Sequence, residues 1–276
     1  TAFEKTNHVT IVPQRVMNAF HRRGISFFKN DPEVSRWRKG DWLAHVTGSP
    51  ARVRKEIMEE IGACKDSVKC ERICPCCGSC IHELTPFGLL GRKAQCKSCG
   101  VVERQRMVCA IMEHKIEVNG KWLYFGPHRR HMQEMKKKYP NVQFDGIDYF
   151  AKGYEKYYSK NTIKGDVQEL YSINNDIYDG VIILHVLEHV PFTKKAISEL
   201  HRILKPGGLI IHESPCQTEG PSIECKGNTG EYICQQKDHV WALNCDDLYK
   251  LFLEYFSCEH IEFSKELSYK YALGVD

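Results

Sequence analysis

The sequence predicts a doubly wound α/β fold with a small cysteine-rich module in front of it. Three observations carry this expectation. Apolar runs of strand length alternate with helical segments from Lys121 onward, two Cys-x2-Cys-Gly knuckles precede them, and the composition is that of an ordinary globular chain. Continuous apolar strands joined by helical crossovers call for a parallel sheet covered on both faces.

The chain has 276 residues, 42% hydrophobic and 27% charged. That suits one large domain, or a medium domain with an appended module, and excludes a mostly disordered or collagen-like chain. No apolar run approaches the roughly 18 residues that span a bilayer. The N-terminus carries Glu4, Lys5 and His8 where the apolar stretch of a secretion signal would sit. A cytoplasmic location is therefore expected, and Thr1 in place of Met suggests a piece of a longer chain. Net charge is +4, with +7 on residues 1–120 and −3 on the rest. A basic front half could touch nucleic acid. No block of five like charges occurs, so a mildly basic solvated surface is the favoured reading.

In chain order, residues 1–69 are polar and helix-prone. Helices are predicted over 32–46 and 50–62, starting at Asp31-Pro32 and Ser49-Pro50, each a cap followed by proline in the first turn. Val53, Ile57 and Ile61 then form one apolar stripe. Next come six of the fourteen cysteines within 26 positions. Clustered thiols without a secretion signal read as metal ligands. Cys74 and Cys77 form one knuckle, and Cys96 and Cys99 a second after an 18-residue spacer. Each knuckle sets two thiolates on one side of an ion, and the glycine turns the chain back, so the spacing predicts a structural zinc ribbon at 70–103. Cys76 and Cys80 are spare thiols that could exchange into the tetrad. The other eight cysteines are expected to be small buried hydrophobes.

A helix is predicted at 104–117, then strands at 121–125, 142–147, 162–165, 180–186 and 208–213, with helices at 129–138, 192–204 and 246–256. Segments 258–263 and 268–274 have strand composition around a short polar turn, which predicts a terminal antiparallel hairpin. In an open parallel sheet, ligands bind beyond the carboxyl ends of the strands. Those ends carry Gly126-Pro127-His128, Asp148, Asp166 and His185. The glycine permits close backbone approach. An acid ending the second strand can accept from both ribose hydroxyls. Asp166 can accept from an adenine amino group beside the backbone N–H of Val167. Singly, each is equally well a turn or a helix cap; their order is the signal.

In that order, the stretches Val181-Ile-Ile-Leu-His-Val-Leu-Glu-His-Val190 and Glu199-Leu-His-Arg-Ile-Leu-Lys-Pro-Gly-Gly208 make the chain resemble a class I S-adenosylmethionine-dependent methyltransferase with an N-terminal four-cysteine zinc ribbon, of the glycan- or small-molecule-modifying type. The resemblance covers about 70–276, through Val102-Glu-Arg-Gln-Arg106 and Asp238-His239-Val240. It departs from the family at the first loop, which carries one glycine where many members have three. It implies a Rossmann-like seven-stranded sheet, and a division into a helical segment at 1–69, the ribbon at 70–103 and a methyltransferase domain at 104–276.

The resemblance further implies cofactor contacts at Phe125, Gly126, Pro127, Asp148, Tyr149, Asp166, Val167, Leu184 and His185. A hydroxyl acceptor needs its proton removed, which suits a histidine near its usual pKa of about 6.5. His239 is the first candidate, with Asp238 as its orienting partner, and His185 the second. His189 and Glu188 are expected to pack the turn before Pro191, and His212 to be a core residue. The insertion 214–244, with Ser214, Pro215, Glu219, Glu224, Tyr232 and Trp241, is expected to form the acceptor surface. The expected activity is O-methylation of a sugar or glycan hydroxyl. RNA base methylation through the ribbon and a non-catalytic cofactor-binding module are the alternatives.

Overall fold

The computed structural model describes residues 8–11 as backbone, and residues 70–88, 91–149, 161–225 and 238–273 in full. The predicted helices at 32–46 and 50–62, and Tyr232 of the insertion, lie outside the described residues.

The strands are β1 (His8–Ile11), β2 (Leu84–Phe87), β3 (Arg92–Cys96), β4 (Lys121–Phe125), β5 (Gln143–Asp148), β6 (Thr162–Lys164), β7 (Tyr178–Leu184), β8 (Leu204–Glu213), β9 (Cys216–Gln217), β10 (Ile223–Glu224), β11 (Trp241–Asn244) and β12 (Ser257–His260). The helices are α1 (Glu103–His114), α2 (Arg129–Lys138), α3 (Thr193–Ile203), α4 (Cys245–Leu253) and α5 (Lys265–Lys270), with a 3-10 turn at Leu187–His189. Seven strands form the main sheet in the order β12-β1-β8-β7-β4-β5-β6, and every described neighbouring pair runs parallel. β2 and β3 form a separate hairpin, and β10, β11 and β9 a small third sheet.

Period-2 alternation along the central strands divides the core. Trp122 and Tyr124 of β4, with Ile182 and Leu184 of β7, face one way. There they pack with Met107, Val108 and Ile111 of α1, Met132 and Met135 of α2, and Cys74, Cys96 and Cys99. Leu123 and Phe125, with Val181 and Ile183, face the other way, against Ala196, Ile197, Leu200 and Ile203 of α3 and Phe252 of α4. The cysteine-rich module is thus part of one covering layer. Trp122 dictates the residue opposite it in β7. A Cβ on Gly180 would lie 2.4 Å from the indole, so only glycine fits there.

Two expectations are corrected. Segment 268–274 is not the second strand of a hairpin: residues 268–270 are the end of α5, whose Ser264 side chain accepts from Leu267 N–H as an N-cap, and 271–273 follow it without a strand. The sheet also recruits β1 from the segment expected to be helical. It lies between β8 and β12 in parallel register, His8 opposite Leu209 and Ser257.

The cysteines differ from expectation as well. Cys80 is not a spare thiol but is disulfide-bonded to Cys70. Cys216 and Cys245 form a second disulfide, joining β9 to the start of α4, and Cys225 is also disulfide-bonded. Among the described residues, no helix is long and apolar enough to cross a membrane.

Candidate functional site

The strand order reverses between β4 and β7, and that switch point opens a crevice at the carboxyl edge of the sheet. Four adjacent strand ends, on β6, β5, β4 and β7, bring the predicted cofactor residues into one row. Gly126 turns the chain at φ +59°, and its N–H donates to Ile147 O at 2.9 Å. A Cβ at Gly126 would sit 3.3 Å from Asp148 Oδ2, so the turn passes directly against that carboxylate. Pro127 closes over Gly146. Phe125, Val167 and Leu184 are buried beneath the row, while Tyr149 stands exposed beside it. Asp166 Oδ1 accepts from the backbone N–H of Gln168 at 2.9 Å and from its side-chain amide at 3.1 Å. The Gln168 carbonyl oxygen in turn accepts from Phe192 N–H at 2.8 Å, which braces the acid in place.

Beyond β7 the chain gathers a cluster of imidazoles and carboxylates. His185 holds φ +52°, a left-handed conformation uncommon outside glycine and a mark of functional strain. Its ring lies between two acids, Nε2 3.0 Å from Glu213 Oε2 and Nδ1 3.4 Å from Glu188 Oε1. Burial alone would lower its pKa. The Glu213 charge and the contacts to both carboxylates outweigh burial and raise it to about 9. Glu188 is fully buried. Burial pushes its carboxyl up, but the contact and charge of His185 hold it below the usual range. Ser214 Oγ donates to Glu188 Oε2 at 3.1 Å.

His239 joins the same cluster, its ring edge-on to His189 with centroids 4.8 Å apart. Ligand atoms of Glu188, His189 and His239 lie within 4.8 Å of one another. Burial lowers the pKa of His239, which leaves it neutral near pH 7. Asp238 also touches His189: its backbone oxygen lies 2.8 Å from His189 Nδ1. The site therefore separates its two predicted histidines. The pKa of His185 is raised and that of His239 lowered, a separation typical of acid–base sites. Glu188, His189 and Glu213 are not among the predicted site residues. The spacing His185-x-x-Glu188-His189 is the available signal, since a single turn puts all three on one side.

His212 lies behind the cluster, fully buried, with Nδ1 3.1 Å from Ile183 O, and burial lowers its pKa to about 4. These shifts shape stability. His185 stabilises the fold while protonated, fully below pH ~6.5, and that contribution is lost as pH rises through about 9. Its size is on the order of 3 kcal/mol. His212 acts oppositely, stabilising above pH ~6.5 and losing that contribution as pH falls toward 4. Urea unfolding at pH 5, 6.5 and 9.5 should show a maximum at the middle value. In His185→Gln the alkaline decline should flatten; an unchanged decline would remove the ion pair as its cause.

A family model described as "Methyltransferase domain" matches residues 100–255. The chain belongs to this methyltransferase family. S-adenosylmethionine is the methyl donor of the family. Among solved structures, the methyltransferase is similar to the [4+2]-cyclase SpnF, at 18% identity and TM-score 0.41 over 63% of each chain. It is also similar to a SAM-dependent methyltransferase from Archaeoglobus fulgidus, at 24% identity and TM-score 0.41 over 55% of this chain and 67% of that one. A third is the phospholethanolamine N-methyltransferase 2 of Haemonchus contortus, at 15% identity and TM-score 0.39 over 55% of this chain and 36% of that one. The chain thus spans just under two thirds of the cyclase and about a third of the nematode enzyme. No curated protein matches it.

The crevice of the methyltransferase retains unused polar capacity. Glu213 Oε1 is buried without a hydrogen-bond partner among the described residues; such an orphan suits a site built for a polar ligand. Beside the cluster, an open groove of about 670 Å³ is lined by Pro191, Phe192, Trp241, Leu243 and Asp247. Away from the crevice, the sulfurs of Cys74, Cys77, Cys96 and Cys99 lie within 4.8 Å of one another. Cys74 and Cys99 are 3.7 Å apart and Cys77 and Cys96 4.0 Å. Zn–S bonds of about 2.3 Å in a tetrahedron place sulfurs about 3.8 Å apart, so the four residues fit a closed metal site.

Proposed function

We propose that this methyltransferase O-methylates a hydroxyl of a sugar or glycan, with His239 as the general base. The observation that carries this reading is a neutral, half-buried His239 at the carboxyl edge of the sheet, next to the cofactor crevice and the groove lined by Trp241. Bound S-adenosylmethionine would supply an electrophilic methyl group on a sulfonium, already a good leaving group. The protein's share is then alignment and proton removal. Asp148 would hold the ribose, Asp166 and Val167 the adenine, and Phe125, Gly126 and Pro127 the methionine part. Tyr149 would flank the cofactor, and Leu184 and His185 would floor it. An imidazole nitrogen of His239 takes the acceptor's hydroxyl proton. Glu188 and Glu213 keep His185 charged and the strained turn in shape. Trp241 and Phe192 offer the apolar faces that pack on sugar rings, with Asp247 and Ser222 as polar partners nearby. Cys74, Cys77, Cys96 and Cys99 would hold a structural zinc that organises the ribbon.

The test is transfer of a labelled methyl group from S-adenosylmethionine to a panel of glycosides. Label in one or more sugars supports the reading. Label in none of them overturns it, and label in RNA in a parallel reaction would move the assignment to base methylation. Cofactor placement has its own check. Asp148→Ala should weaken S-adenosylhomocysteine binding by calorimetry at least tenfold, since hydrogen bonds to a carboxylate contribute about 1.5–3 kcal/mol each. An unchanged affinity would place the cofactor elsewhere.

A further inference from the structure

Outside the ribbon and the crevice, one more cluster of soft ligands is buried. Cys76, on the first knuckle, Cys109, on α1, and His131, on α2, converge from three separate elements, and all three are buried. Cys109 Sγ stands 2.7 Å from Cys76 Sγ and 3.3 Å from His131 Nε2, and the three ligand atoms lie within 4.8 Å of one another. The fourth side chain of the group is Tyr124 on β4. Its hydroxyl lies 2.9 Å from His131 Nδ1, and its ring stands edge-on to the imidazole.

We propose that Cys76, Cys109 and His131 form a second zinc-type metal site, separate from the four-cysteine set. Two thiolates and one imidazole are a soft donor set that suits Zn²⁺. The Tyr124 contact is the arrangement that metal-binding histidines show, with the far ring nitrogen hydrogen-bonded so that Nε2 points its lone pair at the ion. Zn–S bonds of about 2.3 Å and Zn–N bonds of about 2.1 Å in a tetrahedron put sulfur and nitrogen roughly 3.5 Å apart, close to the 3.3 Å found here. The two sulfurs must part by about 1 Å to reach the tetrahedral spacing. Rotation of the Cys76 side chain on its knuckle supplies that, while Cys109 stays on its helix. A water would complete the tetrahedron. A disulfide between Cys76 and Cys109 would serve the geometry less well, because it would leave His131 Nε2 buried with nothing to bond, at a cost of about 1–3 kcal/mol.

The placement gives the ion a structural task. α2 begins at the Gly126-Pro127-His128 turn of the crevice. A metal joining α2 to α1 and to the knuckle would pin that turn to the cysteine-rich module of the same covering layer.

The test compares zinc content by mass spectrometry of purified full-length protein with that of Cys109→Ser and His131→Gln, each checked for fold by circular dichroism. The difference between proteins reads this site, whatever the ribbon holds. Each variant should bind one zinc fewer per chain; equal content in folded variants would overturn the proposal. Zinc-edge X-ray absorption on the unmutated chain needs no variant. With the ribbon filled, six thiolates shared by two ions give roughly three sulfurs and at least half a nitrogen per zinc. Four sulfurs and no nitrogen would mean the ribbon alone is metallated and would overturn the proposal. So would peptides linked through a Cys76–Cys109 disulfide in the purified protein.

Discussion

Replacing Arg106 with Met should lower the unfolding free energy by about 3–5 kcal/mol. Arg106 is the largest charged side chain sealed in the core, with no solvent exposure. Its guanidinium donates to Ala94 O on β3 at 2.8 Å, to Val101 O at 3.2 Å, and to Tyr271 O and Ala272 O at 3.0 Å, with Nη2 reaching Ala272 O again. One side chain therefore satisfies four backbone carbonyls from the cysteine-rich module and the C-terminal segment. Removing the fork takes the side-chain donors from Ala94 O, Tyr271 O and Ala272 O, each at about 1–3 kcal/mol, while Val101 O keeps Cys96 N–H at 2.8 Å. Relief of the arginine's own desolvation returns part of that. Lysine keeps the charge but not the planar fork, so Arg106→Lys should fall between wild type and Arg106→Met. Urea unfolding of the full chain measures both. A loss under about 1 kcal/mol in Arg106→Met would mean these carbonyls have other donors.

His239→Ala should reduce kcat about 10²–10⁴-fold on whichever acceptor the labelling screen identifies, with S-adenosylhomocysteine affinity unchanged. A base acts only when unprotonated, and burial depresses the His239 pKa. The acid limb of the wild-type kcat profile should therefore fall below pH ~6.5, and the variant should lose it. His185→Gln should keep that limb, because His185 is already protonated at neutral pH. If His239→Ala kept wild-type kcat while His185→Gln abolished it, the roles would be reversed.

The sheet is largely readable because its strands carry their own signal. Sequence pattern places Lys121–Phe125 to the residue, and the runs around Gln143–Asp148 and Tyr178–Leu184 to within two residues. These strands are buried on both faces, so they appear as unbroken apolar stretches. The C-terminus misleads because Leu267 and Tyr271 fit a helical spacing as well as a strand composition, and the Ser264 cap is a one-residue cue. β1 is hidden because four residues, His8–Ile11, are too short a run to outweigh the polar segment around them. The row of residues along the crevice is readable from what ends each strand. The charge state of His185 is not, since Glu213 lies 28 positions away and meets it only because β8 pairs beside β7. The pairing of Cys76 with Cys109 and His131 is invisible for the same reason: three elements must first be packed before the donors meet.

The shared covering layer of cysteine-rich module and sheet has a practical consequence. A recombinant fragment begun at residue 104, on the reasoning that catalysis resides downstream, would lose Cys74, Ile81, Leu84 and Cys96 from the covering layer and bare the apolar side chains of α1 that share that cluster. Such a fragment should partition into inclusion bodies while the intact polypeptide stays in the supernatant. Shuffling this catalytic unit into another protein would have to carry its roof along.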